Sequence, residues 1–83
     1  MMQYEAGNGL RIFKQIGDNL IKFHNGVKLF INDNLISSIE FNYDGECHIY
    51  SFVFHLSNDL VYIIGTRDKN VSDSILEYYK ELQ

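Results

Sequence analysis

The sequence predicts an α+β fold, a curled antiparallel six-stranded β-meander with one C-terminal amphipathic helix packed on the sheet. Three observations predict it. First, the pattern Ile-x-Asp-Asn-Leu-Ile occurs twice, as Ile16-Gly17-Asp18-Asn19-Leu20-Ile21 and as Ile31-Asn32-Asp33-Asn34-Leu35-Ile36, with a variant at Ser57-Asn58-Asp59-Leu60-Val61. Short polar residues of this kind tolerate left-handed φ and bond their own backbone, so each copy reads as a chain reversal before an apolar strand resumes. Second, the runs between reversals are rich in Ile, Val, Phe and Tyr. Third, the apolar spacing changes to a helical period near the C-terminus.

The elements follow in order. Residues 1–9 lack periodicity and read as a flexible leader ending in Gly7-Asn8-Gly9, which leaves residues 10–83 as the single folded domain. Strands are predicted at 10–16, 20–24, 27–31, 35–41, 47–56 and 60–66, each bounded by Gly, Asn or Asp. Asn25-Gly26 is the clearest turn, because both residues accept the positive φ of a type I′ hairpin. Connections this short make sequential strands antiparallel neighbours. Alternation puts Val27, Leu29 and Ile31 on one face and Leu35, Ser37, Ile39 and Phe41 on another. Segments 47–56 and 60–64 are apolar on both parities and call for cover on both sides. That cover is assigned to a helix whose Val71, Ile75, Tyr78, Tyr79 and Leu82 recur at helical spacing, with Asn70 or Ser72 as the cap and Asp73 favouring the first-turn dipole. Glu77, Lys80 and Glu81 fall on its solvent side.

The C-terminal run Phe52-Val53-Phe54-His55-Leu56-Ser57-Asn58-Asp59-Leu60-Val61-Tyr62-Ile63-Ile64-Gly65, followed by one amphipathic helix, resembles the C-terminal half of small bacterial pleckstrin-homology-like domains. The likeness covers residues 47–82 and rests on topology. It implies a PH-like half-barrel, in which the last helix plugs one end of a bent sheet, and a binding or scaffolding role. The predicted strands fall short of that family's seven and the helix has no Trp, so the family's lipid-binding residues are not carried over.

Composition narrows the classes. A domain of 83 residues buries only about 60% of its unfolded surface, so large side chains must fill the core, and six Phe and six Tyr supply them. The longest apolar run, Leu60-Val61-Tyr62-Ile63-Ile64, is far short of the ~20 residues that span a bilayer, and the start has no basic and apolar signal, so a cytoplasmic protein without membrane insertion is expected. One cysteine, Cys47, cannot form an intramolecular disulfide.

No constellation reads as a catalytic or metal site. Cys47 and His55 share a strand face but lie roughly 26 Å apart at ~3.3 Å per residue, and His48 points the other way. Recruiting His24 still supplies no orienting third group. Asn32-Asp33-Asn34 and Asp44-Gly45-Glu46 are too short to wrap a hard cation and read as turns. Gly7-Asn8-Gly9 lacks the strand and helix that a phosphate loop needs. Glu40, Asp44 and Glu46 read as a solvated acidic loop. Neither an enzyme nor a cofactor is expected.

Charge is uneven. The stretch from Leu10 to Phe30 carries Arg11, Lys14, Lys22 and Lys28 against Asp18, a balance of +3, whereas Ile31 to Gln83 balances to −6. If Leu10, Ile12, Val27, Leu29 and Ile31 face the core, then Arg11, Phe13, Lys22, His24, Lys28 and Phe30 share the opposite surface. Lys14 breaks the pattern, pointing inward and escaping near a strand end. Cations interleaved with aromatics suit phosphates, an acidic protein loop or stacked bases. The expected function is a small non-enzymatic adaptor whose partner is another protein or a second copy of the chain, rather than a nucleic acid. The alternative is a compact acidic inhibitor or immunity-type protein, phage-encoded ones included, whose acidic part blocks a basic cleft on a nuclease or other effector.

Overall fold

The computed structural model describes residues 2–80 and has seven strands in two antiparallel sheets, followed by one helix. In chain order these are β1 (Met2–Glu5), β2 (Leu10–Ile16), β3 (Asn19–Lys22), β4 (Lys28–Ile31), a 3-10 turn (Asp33–Leu35), β5 (Ile36–Asp44), β6 (Ile49–Leu56), β7 (Val61–Thr66) and α1 (Lys69–Tyr78). The larger sheet has the order β3-β2-β7-β6-β5, and β1 pairs with β4 in a sheet of two. Each predicted run overlaps a strand, and β2 matches end to end.

The six-stranded meander does not form, and the reason lies at Asn25-Gly26. Only Gly26 of that pair has positive φ, at 91°, and the Val27 N–H donates to the His24 carbonyl at 3.1 Å. Glycine at the third residue of such a turn is the type II pattern, whose twist splays strands instead of pairing them. Strand β4 therefore turns away from β3 and pairs with β1, Tyr4 opposite Leu29 and Glu5 opposite Lys28. The ladder continues through Ala6 N–H to the Val27 carbonyl at 2.9 Å and Gly26 N–H to the Ala6 carbonyl at 2.8 Å. The opening residues, expected to be a loose leader, thus contain a strand, and Tyr4 and Ala6 are core residues.

With β4 gone, β2 finds its second neighbour far along the chain. Ile12 lies opposite Ile64 and Phe13 opposite Ile63 on β7, which makes β7 the central strand. The local β2–β3 hairpin is set by Gly17, whose φ of 58° suits the first central position of a type II′ turn.

The two sheets face each other across one core. Tyr4, Leu29 and Ile31 come from the small sheet, Ile12, Phe52, Phe54 and Ile64 from the large one. Helix α1 adds Ile75 and Tyr79, and Phe54 bridges the layers, its ring 6.1 Å from Tyr4 and 5.3 Å from Tyr79 between centroids. Each such side chain stabilises the fold by about 1.5–3 kcal/mol on burial.

The helix starts earlier than its expected caps. Asp68 is the N-cap, accepting from the Asn70 N–H at 2.9 Å, because its carboxylate reaches the free amides of the first turn. Ser72, Ile75 and Tyr79 form the buried stripe, whereas Val71 and Tyr78 lie exposed on its flanks; Leu82 and Glu81 lie outside the described residues. Val27 is also outside the core, 41% exposed beside its turn.

Candidate functional site: the outer face of the five-stranded sheet

Strands β6 and β7, apolar on both parities, are covered on one side only. Phe52, Phe54, Leu56 and Ile64 are buried, but Ile49, Val53 and Ile63 on the opposite parity are only half-buried. The small sheet and α1 both contribute to the core on the inner side, so among the described residues no layer covers the outer face.

Register aligns that face into rows. One row runs Lys22, Phe13, Ile63, Val53, Glu40 across all five strands, and the next runs Arg11, Gly65, Ser51, Asn42. Three of the six residues expected to share a surface, Arg11, Phe13 and Lys22, are therefore brought together. The others are not. Lys28 and Phe30 project from β4 on the side of the small sheet that faces away from the common core, with Phe30 60% exposed and Lys28 4.0 Å from Glu5. His24 is exposed in the turn between β3 and β4. Lys14, on the inward parity of β2, is half-buried.

A cleft of about 300 Å³ lies where Arg11, Phe13, Ile49, Ile63, Gly65 and Arg67 meet. Its floor is apolar and its rim carries two guanidinium groups. Neither arginine makes an ion pair or side-chain hydrogen bond among the described residues. Ile49, Gly65 and Arg67 lie outside the expected surface, because the strands they belong to or follow are apolar on both parities and their alternation does not say which face is open. Gly65 carried its own signal: a glycine inside a strand with no turn residue beside it marks close approach of another group.

The remaining candidates are engaged in local structure. The Asp44 carboxylate accepts from the Glu46 and Cys47 N–H groups at 2.9 and 3.2 Å; these two backbone hydrogen bonds hold it below the usual carboxylate range. Asn32 likewise accepts from the Asn34 N–H at 3.0 Å and caps the 3-10 turn. Cys47 is exposed, His48 is 3.2 Å from the Tyr43 hydroxyl, and His55 is 3.4 Å from Glu40. No three His, Cys, Asp or Glu side chains converge on a metal-sized space among the described residues. No helix among them is long and apolar enough to cross a membrane.

Two inter-element hydrogen bonds fix the back of the molecule. Tyr78 donates to Asp33 at 2.8 Å, and Tyr4 donates to Tyr79 at 3.1 Å. Partial burial works against ionised Asp33, but the Tyr78 bond is among the interactions that outweigh it and hold the carboxyl below its ordinary range. Burial pushes Tyr79 up to about 12, and it pushes Tyr4 further in the same direction.

Comparison with protein-family models, with curated proteins and with solved structures finds no match to this chain.

Proposed function

We propose that the protein is a small non-enzymatic interaction module that holds a protein partner on the outer face of its five-stranded sheet. The single observation that carries this reading is the one-sided cover of β6 and β7. Ile49, Val53 and Ile63 are half-exposed on the face that also gathers Phe13, Arg11 and Lys22. A contiguous apolar strip with cations on its β2–β3 side and Glu40 at its far end marks an interaction surface, since isolated domains seldom expose one without use. The rings and aliphatic groups supply desolvation at the centre, and the cations steer an acidic partner towards it. The resemblance to small pleckstrin-homology-like domains also implies a binding role.

Affinity capture from the native host with paired variants tests the reading. Arg11→Glu combined with Lys22→Glu should lose a protein that the wild type captures, while Lys28→Glu, on the other sheet, should retain it. Retention by the first variant and loss by the second would move the partner to the small sheet.

A further inference from the structure

Gly65 is at the middle of the binding face and has no backbone reason to be glycine. It lies within β7, the central strand, and it is not among the residues with positive φ. A Cβ built there would meet its nearest neighbours, Ile49 Cγ2 and the Tyr50 carbonyl oxygen, at 3.8 and 3.9 Å, ordinary van der Waals distances. An alanine would therefore fit and would favour the strand, since glycine carries an entropic penalty there. What glycine provides is space on the outer face, where it is part of the lining of the cleft.

The surroundings of that space state a chemistry. Arg11 lies directly opposite Gly65 on β2, Ser51 directly opposite on β6, and Arg67 two residues further along the chain. Phe13, Ile49 and Ile63 wall the apolar side. Two unpaired guanidinium groups and a hydroxyl suit a carboxylate or phosphate, to which arginine bonds in bidentate fashion. The apolar walls suit a ring. The cleft, about 300 Å³, is at the lower end of the range for small-molecule sites and opens onto the uncovered sheet face, whereas a free small molecule is normally enclosed over most of its surface.

Resting on the proposed function, we infer that the notch over Gly65 seats the anchor of the partner polypeptide, an anionic group carried on an aromatic stem. Binding then requires both halves of the anchor. The cations alone would attract any anion, and the walls alone any ring.

The test is an amide-resolved NMR titration of the full chain with N-acetyl-phosphotyrosine amide and N-acetyl-4-carboxyphenylalanine amide. Inorganic phosphate and N-acetyl-tyrosine amide serve as the half-probes. At least one full probe should shift the amides of Arg11, Ser51 and Gly65 and bind about tenfold or more tighter than either half-probe. Gly65→Ala should keep or raise the melting temperature, showing that the backbone accepts a side chain. Gly65→Val, still folded by the same melt, should weaken the full probe by about tenfold or more. Inorganic phosphate binding as tightly as the full probes would reduce the site to bare charge and overturn the inference. So would equal binding of the tyrosine amide, shifts confined to other faces, no binding of either full probe, or unchanged affinity in a folded Gly65→Val. If these fail while the Arg11→Glu and Lys22→Glu variant still loses its captured partner, only the anchor is wrong. If that variant also retains the partner, the outer-face reading falls with it.

Discussion

Tyr4 and Tyr79 are the residues on which the join between the small sheet and the helix depends most. Their rings are buried, and the Tyr4 hydroxyl donates to Tyr79 at 3.1 Å. Tyr79→Phe removes the acceptor and leaves a buried donor unpaired, so it should cost about 1–3 kcal/mol. Tyr4→Phe added to it should recover much of the loss, and chemical denaturation of the three variants measures both. A pH dependence follows with a definite sign. Both phenols are raised in the folded state, so they stay protonated while their unfolded counterparts ionise above about pH 10. Folding stability is unaffected by this pair below that point and falls as pH rises, for Tyr79 until its folded value of about 12. The slope is at most about 1.4 kcal/mol per pH unit for each phenol. Alkaline unfolding should accordingly begin in that window, with a late phenolate absorbance step coincident with loss of near-ultraviolet circular dichroism. Ionisation of all six tyrosines before unfolding would contradict the burial of the pair.

At the scale of elements, the repeated hexapeptide shows what sequence makes legible and what it leaves open. Its first copy closes the β2–β3 hairpin through Gly17 at φ 58°, whereas in the second Asn32 stays at φ −77° and its side chain caps a 3-10 turn. One residue decides between them, because glycine enters the left-handed region without steric cost. The six predicted runs each overlap a strand, since alternation and turn residues are local signals. Partnering was not local. The type II geometry at Asn25-Gly26 releases β4 to β1, and that exchange split Lys28 and Phe30 from Arg11, Phe13 and Lys22. The first strand is not legible in the sequence because its alternation, Tyr4 and Ala6 inward with Gln3 and Glu5 outward, is too brief to stand out. Removing residues 1–6 should therefore expose Leu29 and Ile31 and abolish cooperative melting. A truncated chain that melts cooperatively near the full-length temperature would show that β1 is dispensable.

For the whole molecule, two faces look away from one shared core. The helix and the small sheet lie behind the large sheet and leave its front uncovered, with Phe13, Ile63 and Val53 flanked by Lys22 and Arg11. On the proposed function, the arrangement accounts for the doubly apolar strands, whose second face would meet a surface supplied from outside. Net charge of −4 coexists with this cationic rim because charge is segregated along the chain, and segregation orients an approaching partner more than it tightens the complex. Site-specific photo-crosslinking in the native host tests the claim most directly, with p-benzoylphenylalanine replacing either Lys22 on the large sheet or Phe30 on the small one. An outer-face partner predicts a discrete protein adduct from the Lys22 position and none from the Phe30 position. An adduct formed only from the Phe30 position would contradict the account.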